Sequence, residues 1–165
     1  MHWKKFKNKD HHGFKLFDDN DKVILKMELP NKKSPFKATL ECDNEVYKIK
    51  RKGFWKSEIF IVDDKDKLIA EVNNEKQHYG MGSIKMANHK YYYTYRNNPL
   101  VELIIYLQPE EPLISYKLIT KSKSPSVSLQ IGDSFKGTRH KKLLIGLGWY
   151  MFQPIARENQ IIHSE

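Results

Sequence analysis

Residues Leu143–Ala156 read LLIGLGWYMFQPIA, fourteen positions without a charged side chain near the end of a lysine-rich chain. A bilayer-spanning helix needs about 20 apolar residues, because the hydrocarbon core is about 30 Å thick. At about 1.5 Å per residue this stretch reaches about 21 Å, and Pro154 is expected to end the helix. It is too short to cross a membrane. A helix that is apolar all round needs apolar surface on every side. In a chain made of strands, that surface is a sheet curled around it.

The rest of the chain supplies the strands. FKLF, KVILKMEL, FKATLEC, EVYKIKR, EIFIVD, KLIAEV, SIKM, YYYTY, VELIIYL, LISYKLIT and SVSLQIG are short, rich in Val, Ile, Tyr, Phe and Thr, and closed by Asn, Asp, Gly or Pro. Their even spacing predicts an antiparallel sandwich or barrel. The fold class expected is therefore mainly β, an antiparallel β-barrel enclosing a hydrophobic C-terminal α-helix over about residues 138–153, with a polar tail at 157–165. At 165 residues the chain is read as one domain.

An internal echo marks one hairpin used twice. FKLFDDNDKVILKM, residues 14–27, aligns without gaps on IFIVDDKDKLIAEV, residues 59–72, at an offset of 45. The shared Asp-Asp-x-Asp-Lys invites a calcium reading. An EF-hand loop, however, needs oxygen ligands at alternate positions, glycine at the sixth and glutamate at the twelfth; Val23 and Leu68 stand at the sixth. Asp and Asn in a tight connection are explained by side-chain to backbone hydrogen bonds and by tolerance of positive φ. In YYYTY, Tyr91, Tyr93 and Tyr95 share one face of a strand, which is ordinary cross-strand packing rather than a platform for stacked bases.

No catalytic group is advertised. The seven histidines lack metal-ligand spacing, no GxSxG elbow is present, and Gly80-Met81-Gly82-Ser83 lacks the order of a phosphate loop. The single cysteine, Cys42, excludes an intrachain disulfide and fits a reducing compartment. The basic start MHWKKFKNKD has no apolar run behind it and is not read as a secretory signal. The expectation is a cytoplasmic, non-enzymatic protein without metal or cofactor.

Charge is the remaining signal. The net charge is +9, and residues 1–57 hold 15 basic and 8 acidic side chains against 14 and 12 in residues 58–165. Such a field favours phosphate-bearing partners, an anionic membrane surface before nucleic acid. Two clusters are candidate anion sites: Lys48, Lys50, Arg51 and Lys52 on one strand, and Arg139, Lys141 and Lys142 beside His140, before the apolar stretch. Cations in the first turn of a helix oppose its dipole, and a phosphate there would meet both the side chains and unpaired N–H groups. Solvation of a lysine-rich rim is the competing account.

The order of features is EVYKIKRKGFWKSEIFIVDDKDKLIAEV at residues 45–72, GSIKMANHKYYYTY at 82–95, then paired strands and the apolar LLIGLGWYMF helix. It resembles the tubby C-terminal-like superfamily, including its LURP-one-related and phospholipid-scramblase-like branches. The resemblance implies a curled antiparallel barrel around the C-terminal helix. It also implies a basic surface of the kind with which tubby domains hold membrane phosphoinositides. Scramblase-like members are linked to calcium, which the aspartate turns do not support. The polar tail Arg157–Glu165 is a departure from the pattern.

Overall fold

The computed structural model describes residues 1–7, 11–30, 38–52, 58–74, 80–97, 100–108, 111–119, 126–135 and 140–162. Among them are twelve strands and one α-helix: β1 (His2–Lys7), β2 (His11–Phe17), β3 (Val23–Pro30), β4 (Ala38–Cys42), β5 (Glu45–Lys52), β6 (Glu58–Val62), β7 (Leu68–Asn74), β8 (Met81–Met86), β9 (His89–Arg96), β10 (Glu102–Gln108), β11 (Glu111–Ile119), β12 (Ser126–Ile131) and α1 (Lys141–Ile162). The fold class is the one the sequence predicts, mainly β and antiparallel with a hydrophobic C-terminal helix. The chain divides into two compact units, Met1–Asn74 with Ile84–His89, and Glu75–Ser83 with Lys90–Glu165.

In the first unit β1 to β7 pair antiparallel in chain order. Period-2 alternation sends Leu16, Leu25, Met27, Leu40, Ile49 and Ile61 to one face, where each is at most 1% exposed. Burying each of these side chains stabilises the fold by about 1.5–3 kcal/mol. The repeated hairpin is reproduced bond for bond. Asp18 N–H donates to the Lys22 carbonyl at 3.0 Å, and Asp63 N–H to the Lys67 carbonyl at 3.0 Å. The Asp18 carboxylate accepts from the N–H groups of Asn20 and Lys22, and Asp63 does the same for Lys65 and Lys67. Asp21 and Asp66 take φ of 58° and 61°, so the aspartates serve the turn, as their chemistry predicts.

In the second unit β9 to β12 form an antiparallel meander against which α1 packs. Every residue from Leu143 to Phe152 is buried, as an all-round apolar helix requires. Tyr116 of β11 stacks on Phe152 at 5.8 Å and meets Trp149 at 5.7 Å. Its hydroxyl donates to the Ile145 carbonyl at 2.7 Å, and the Tyr95 hydroxyl donates to that of Met151 at 3.1 Å. Gly148 leaves room for this packing: a Cβ there would lie 2.9 Å from Tyr116 Cε2 and 3.1 Å from Ile105 Cδ1, so the neighbours would have to give way.

The helix differs from expectation at both ends. It begins at Lys141, with the His140 carbonyl accepting from Leu144 N–H at 2.9 Å, and it runs through Pro154 to Ile162 instead of ending at 153. Proline removes one i→i−4 hydrogen bond. Its ring is exposed here, which puts the interrupted turn on the wet side, while the ten buried residues before it hold the axis. Among the described residues no helix is long and apolar enough to cross a membrane.

Strand β1 is absent from the sequence reading. HWKKFK carries no β-branched residue, and its two aromatic residues stand among three lysines, which are depleted in strands; pairing to β2 over all six of its residues forms it.

Candidate anion-binding surface

The register across β1, β2, β3 and β4 sets Lys4 opposite Lys15, Lys15 opposite Lys26, and Lys26 opposite Glu41. Strand alternation puts this row on the face away from Leu16 and Leu25. Two aromatic rings flank it. Phe6 lies over Gly13, where a Cβ would come 2.8 Å from the ring and 2.1 Å from the Met27 carbonyl oxygen, so only glycine fits. Phe17 stacks on His2 at 5.4 Å. Lys4 Nζ stands 4.8 Å from the centre of Phe17, and Lys15 and Lys26 stand 5.5 and 5.9 Å from that of Phe6, within cation–π reach.

The three lysines differ in their partners. Lys26 lies 2.7 Å from Glu28 and 3.6 Å from Glu41, and the Glu28 contact holds its pKa above the ordinary lysine value. Lys4 and Lys15 have no carboxylate partner among the described residues. Like charges directly opposite each other in a sheet are destabilising, and an anion between them would relieve that cost. These residues were missed because Lys4, Lys15 and Lys26 meet only through register; the one signal in the sequence is that Lys15 and Lys26 lie on either side of the DDND turn in alternating strands.

Beside the row the β3–β4 ladder stops at Lys26 and Glu41, where Asp43 and Asn44 turn the chain with φ of 53° and 63°. An open groove of about 330 Å³ results, with Lys15, Lys26, Glu41, Asp43, Val23 and Cys42 among its lining residues. Two cations and two carboxylates give it no net sign. The two lysines without a carboxylate partner among the described residues, Lys4 and Lys15, lie on the β1–β2 side of the row, with Asp19 and Asp21 at its end beside Met1 and His2.

The cluster expected on β5 is shared with a counter-charge. Lys48 and Lys50 share a face, yet both approach the same carboxylate: Lys50 Nζ is 2.7 Å and Lys48 Nζ 3.7 Å from Asp66 Oδ1. The hydrogen bond from Lys50, followed by the charges of Lys48 and Lys50, holds the Asp66 carboxyl below its ordinary value. Arg51 falls on the opposite alternation and has an interaction of its own, and Lys52 is exposed at the strand end. Lys141 and Lys142 lie in the first turn of α1, half-buried, in the other unit; Lys142 also has a partner. Arg139 lies outside the described residues.

Tyr91 and Tyr93 are 5% and 1% exposed, so two rings of the tyrosine strand belong to the core. Tyr92 stacks on Tyr106 at 6.0 Å, with Lys90 5.0 Å above it. Buried Glu102 is satisfied by the Ser115 hydroxyl at 2.8 Å and Lys117 Nζ at 3.1 Å. Among the described residues no group of three His, Cys, Asp or Glu side chains is placed to hold a metal. Comparison of the chain with known protein families, with curated proteins and with solved structures finds no match.

Proposed function

We propose that this chain is a non-enzymatic, cytoplasmic module that binds an anionic membrane surface through the outward face of β1 and β2. The observation that carries the reading is the pairing of Lys4 with Lys15, neither of which has a carboxylate partner among the described residues. Phe17 and Val23 adjoin this pair on the same face, and Val23 is 42% exposed. Cations next to partly exposed apolar groups suit the boundary between headgroups and acyl chains, where each lysine contributes about 1 kcal/mol on an acidic leaflet. The resemblance to tubby-like proteins points the same way.

Sedimentation with vesicles of neutral lipid, and with vesicles containing acidic lipid, tests the reading. Binding to the acidic vesicles alone, weakening steeply as salt rises, is expected. Equal absence of binding to both at low salt would sink it. Free inorganic phosphate competing as well as the vesicles do would reassign the site to a soluble phosphate-bearing ligand.

A further inference from the structure

Strand β1 stands at one end of the strand order and is hydrogen-bonded, among the described residues, to β2 alone. Its six pairs with β2 run from His2–Phe17 to Lys7–His12 without a register shift. Among the described residues no strand is hydrogen-bonded along its other edge. Edge strands are commonly guarded by proline, by a bulge, by brevity or by charge. HWKKFK contains no proline and no bulge, so its guard is charge.

That charge lies on both faces. Lys4 and His2 point outward, whereas Lys5 and Lys7 lie opposite Phe14 and His12, on the face that in β2 carries buried Phe14 and Leu16. Both Lys5 and Lys7 are exposed and have no carboxylate partner among the described residues. Neither the core nor the outward membrane-facing row uses them. A neutral or basic strand laid along β1 would meet cations on both of its sides. A second copy pairing antiparallel about Lys4 or about Lys5 would set that lysine against its own counterpart, like charge opposite like.

We infer that β1 is a strand-addition edge that accepts an extended acidic segment of a partner protein, in which main-chain bonds supply the pairing and Lys4, Lys5 and Lys7 select the sequence. The pattern basic-aromatic-basic-basic-aromatic-basic reads alike in both directions, so its complement is acidic-apolar-acidic-acidic-apolar-acidic whichever way the partner runs. Strand addition divides binding in this manner, main chain for affinity and alternate side chains for specificity.

The test uses the full chain and an end-blocked peptide, Thr-Glu-Val-Glu-Glu-Val-Glu-Thr, followed by calorimetry at low salt. Saturable binding is expected. N-methylation of one alternate set of peptide amides should weaken it at least tenfold while the other set leaves it unchanged, because only one edge of the peptide faces β1. The K5E/K7E variant should also lose at least tenfold, with vesicle binding by the outward face retained. Absence of binding overturns the proposal. So does equal binding by both N-methylated peptides, which would reduce the contact to charge alone, and so does self-association of the chain that K5E/K7E abolishes.

Discussion

Lys50 Nζ lies 2.7 Å from Asp66 Oδ1 and reaches it from the neighbouring strand pair, sixteen residues earlier in the chain. A run of lysines that looks available in the sequence is thus held by a turn. Asp66→Asn keeps a residue that tolerates positive φ and releases both Lys48 and Lys50. Affinity for acidic vesicles should rise about fivefold, the effect of about one further lysine near an anionic surface. Sedimentation at fixed salt reads this, and an unchanged affinity would show that β5 faces away from the membrane.

The same contact sets a pH dependence. The Asp66 carboxyl is held below its ordinary value of 3.8, first by the Lys50 hydrogen bond and then by the charges of Lys48 and Lys50. Its contribution to stability is present above the unfolded-state value and is lost as pH falls through the lower folded-state value. A carboxyl titration by NMR should place the Asp66 midpoint below 3.8 in the wild type and move it upward in Lys50→Met. Identical midpoints in the two proteins would refute the pairing.

The twin turns predict twin penalties. Asp18 and Asp63 each accept two main-chain N–H groups through one oxygen, at 2.8 to 3.0 Å. Asp18→Ala and Asp63→Ala should each lower stability by about 1 kcal/mol, and by similar amounts, in urea denaturation. A neutral result at either position would mean that the backbone holds that turn without its aspartate.

At the helix, Gly148→Ala sets two effects against each other. Alanine improves helix propensity by about 1 kcal/mol, while its methyl would sit 2.9 Å from a tyrosine ring anchored by the Tyr116 hydrogen bond to Ile145. Overpacking costs about 1–3 kcal/mol. A net loss is expected, partly recovered by adding Ile105→Val, which shortens the other neighbour. A stabilised single variant would show that the Tyr116 ring moves easily.

How much was legible follows from how local each feature is. The DDxDK turns and the buried tyrosines are decided by residues a few positions apart, and turn chemistry and alternation reveal them. The helix is legible for a related reason, since LLIGLGWYMF has no polar face to leave outside. What escaped is what register decides: the neutralisation of Lys48 and Lys50 by Asp66, the row Lys4–Lys15–Lys26, and β1 itself, whose propensity is poor until β2 pairs with it. Pro154 misled for another reason. The rule that proline stops a helix gives way where buried turns on the preceding side carry the axis and the ring faces solvent.

The central claim is that Lys4 and Lys15 together hold an anionic surface. Its most direct test is vesicle sedimentation of the K4Q/K15Q variant beside the wild type, at matched salt and with unfolding midpoints compared. Losing two lysines at about 1 kcal/mol each should weaken binding to acidic vesicles tenfold or more, with the fold intact. Binding equal to wild type would contradict the account.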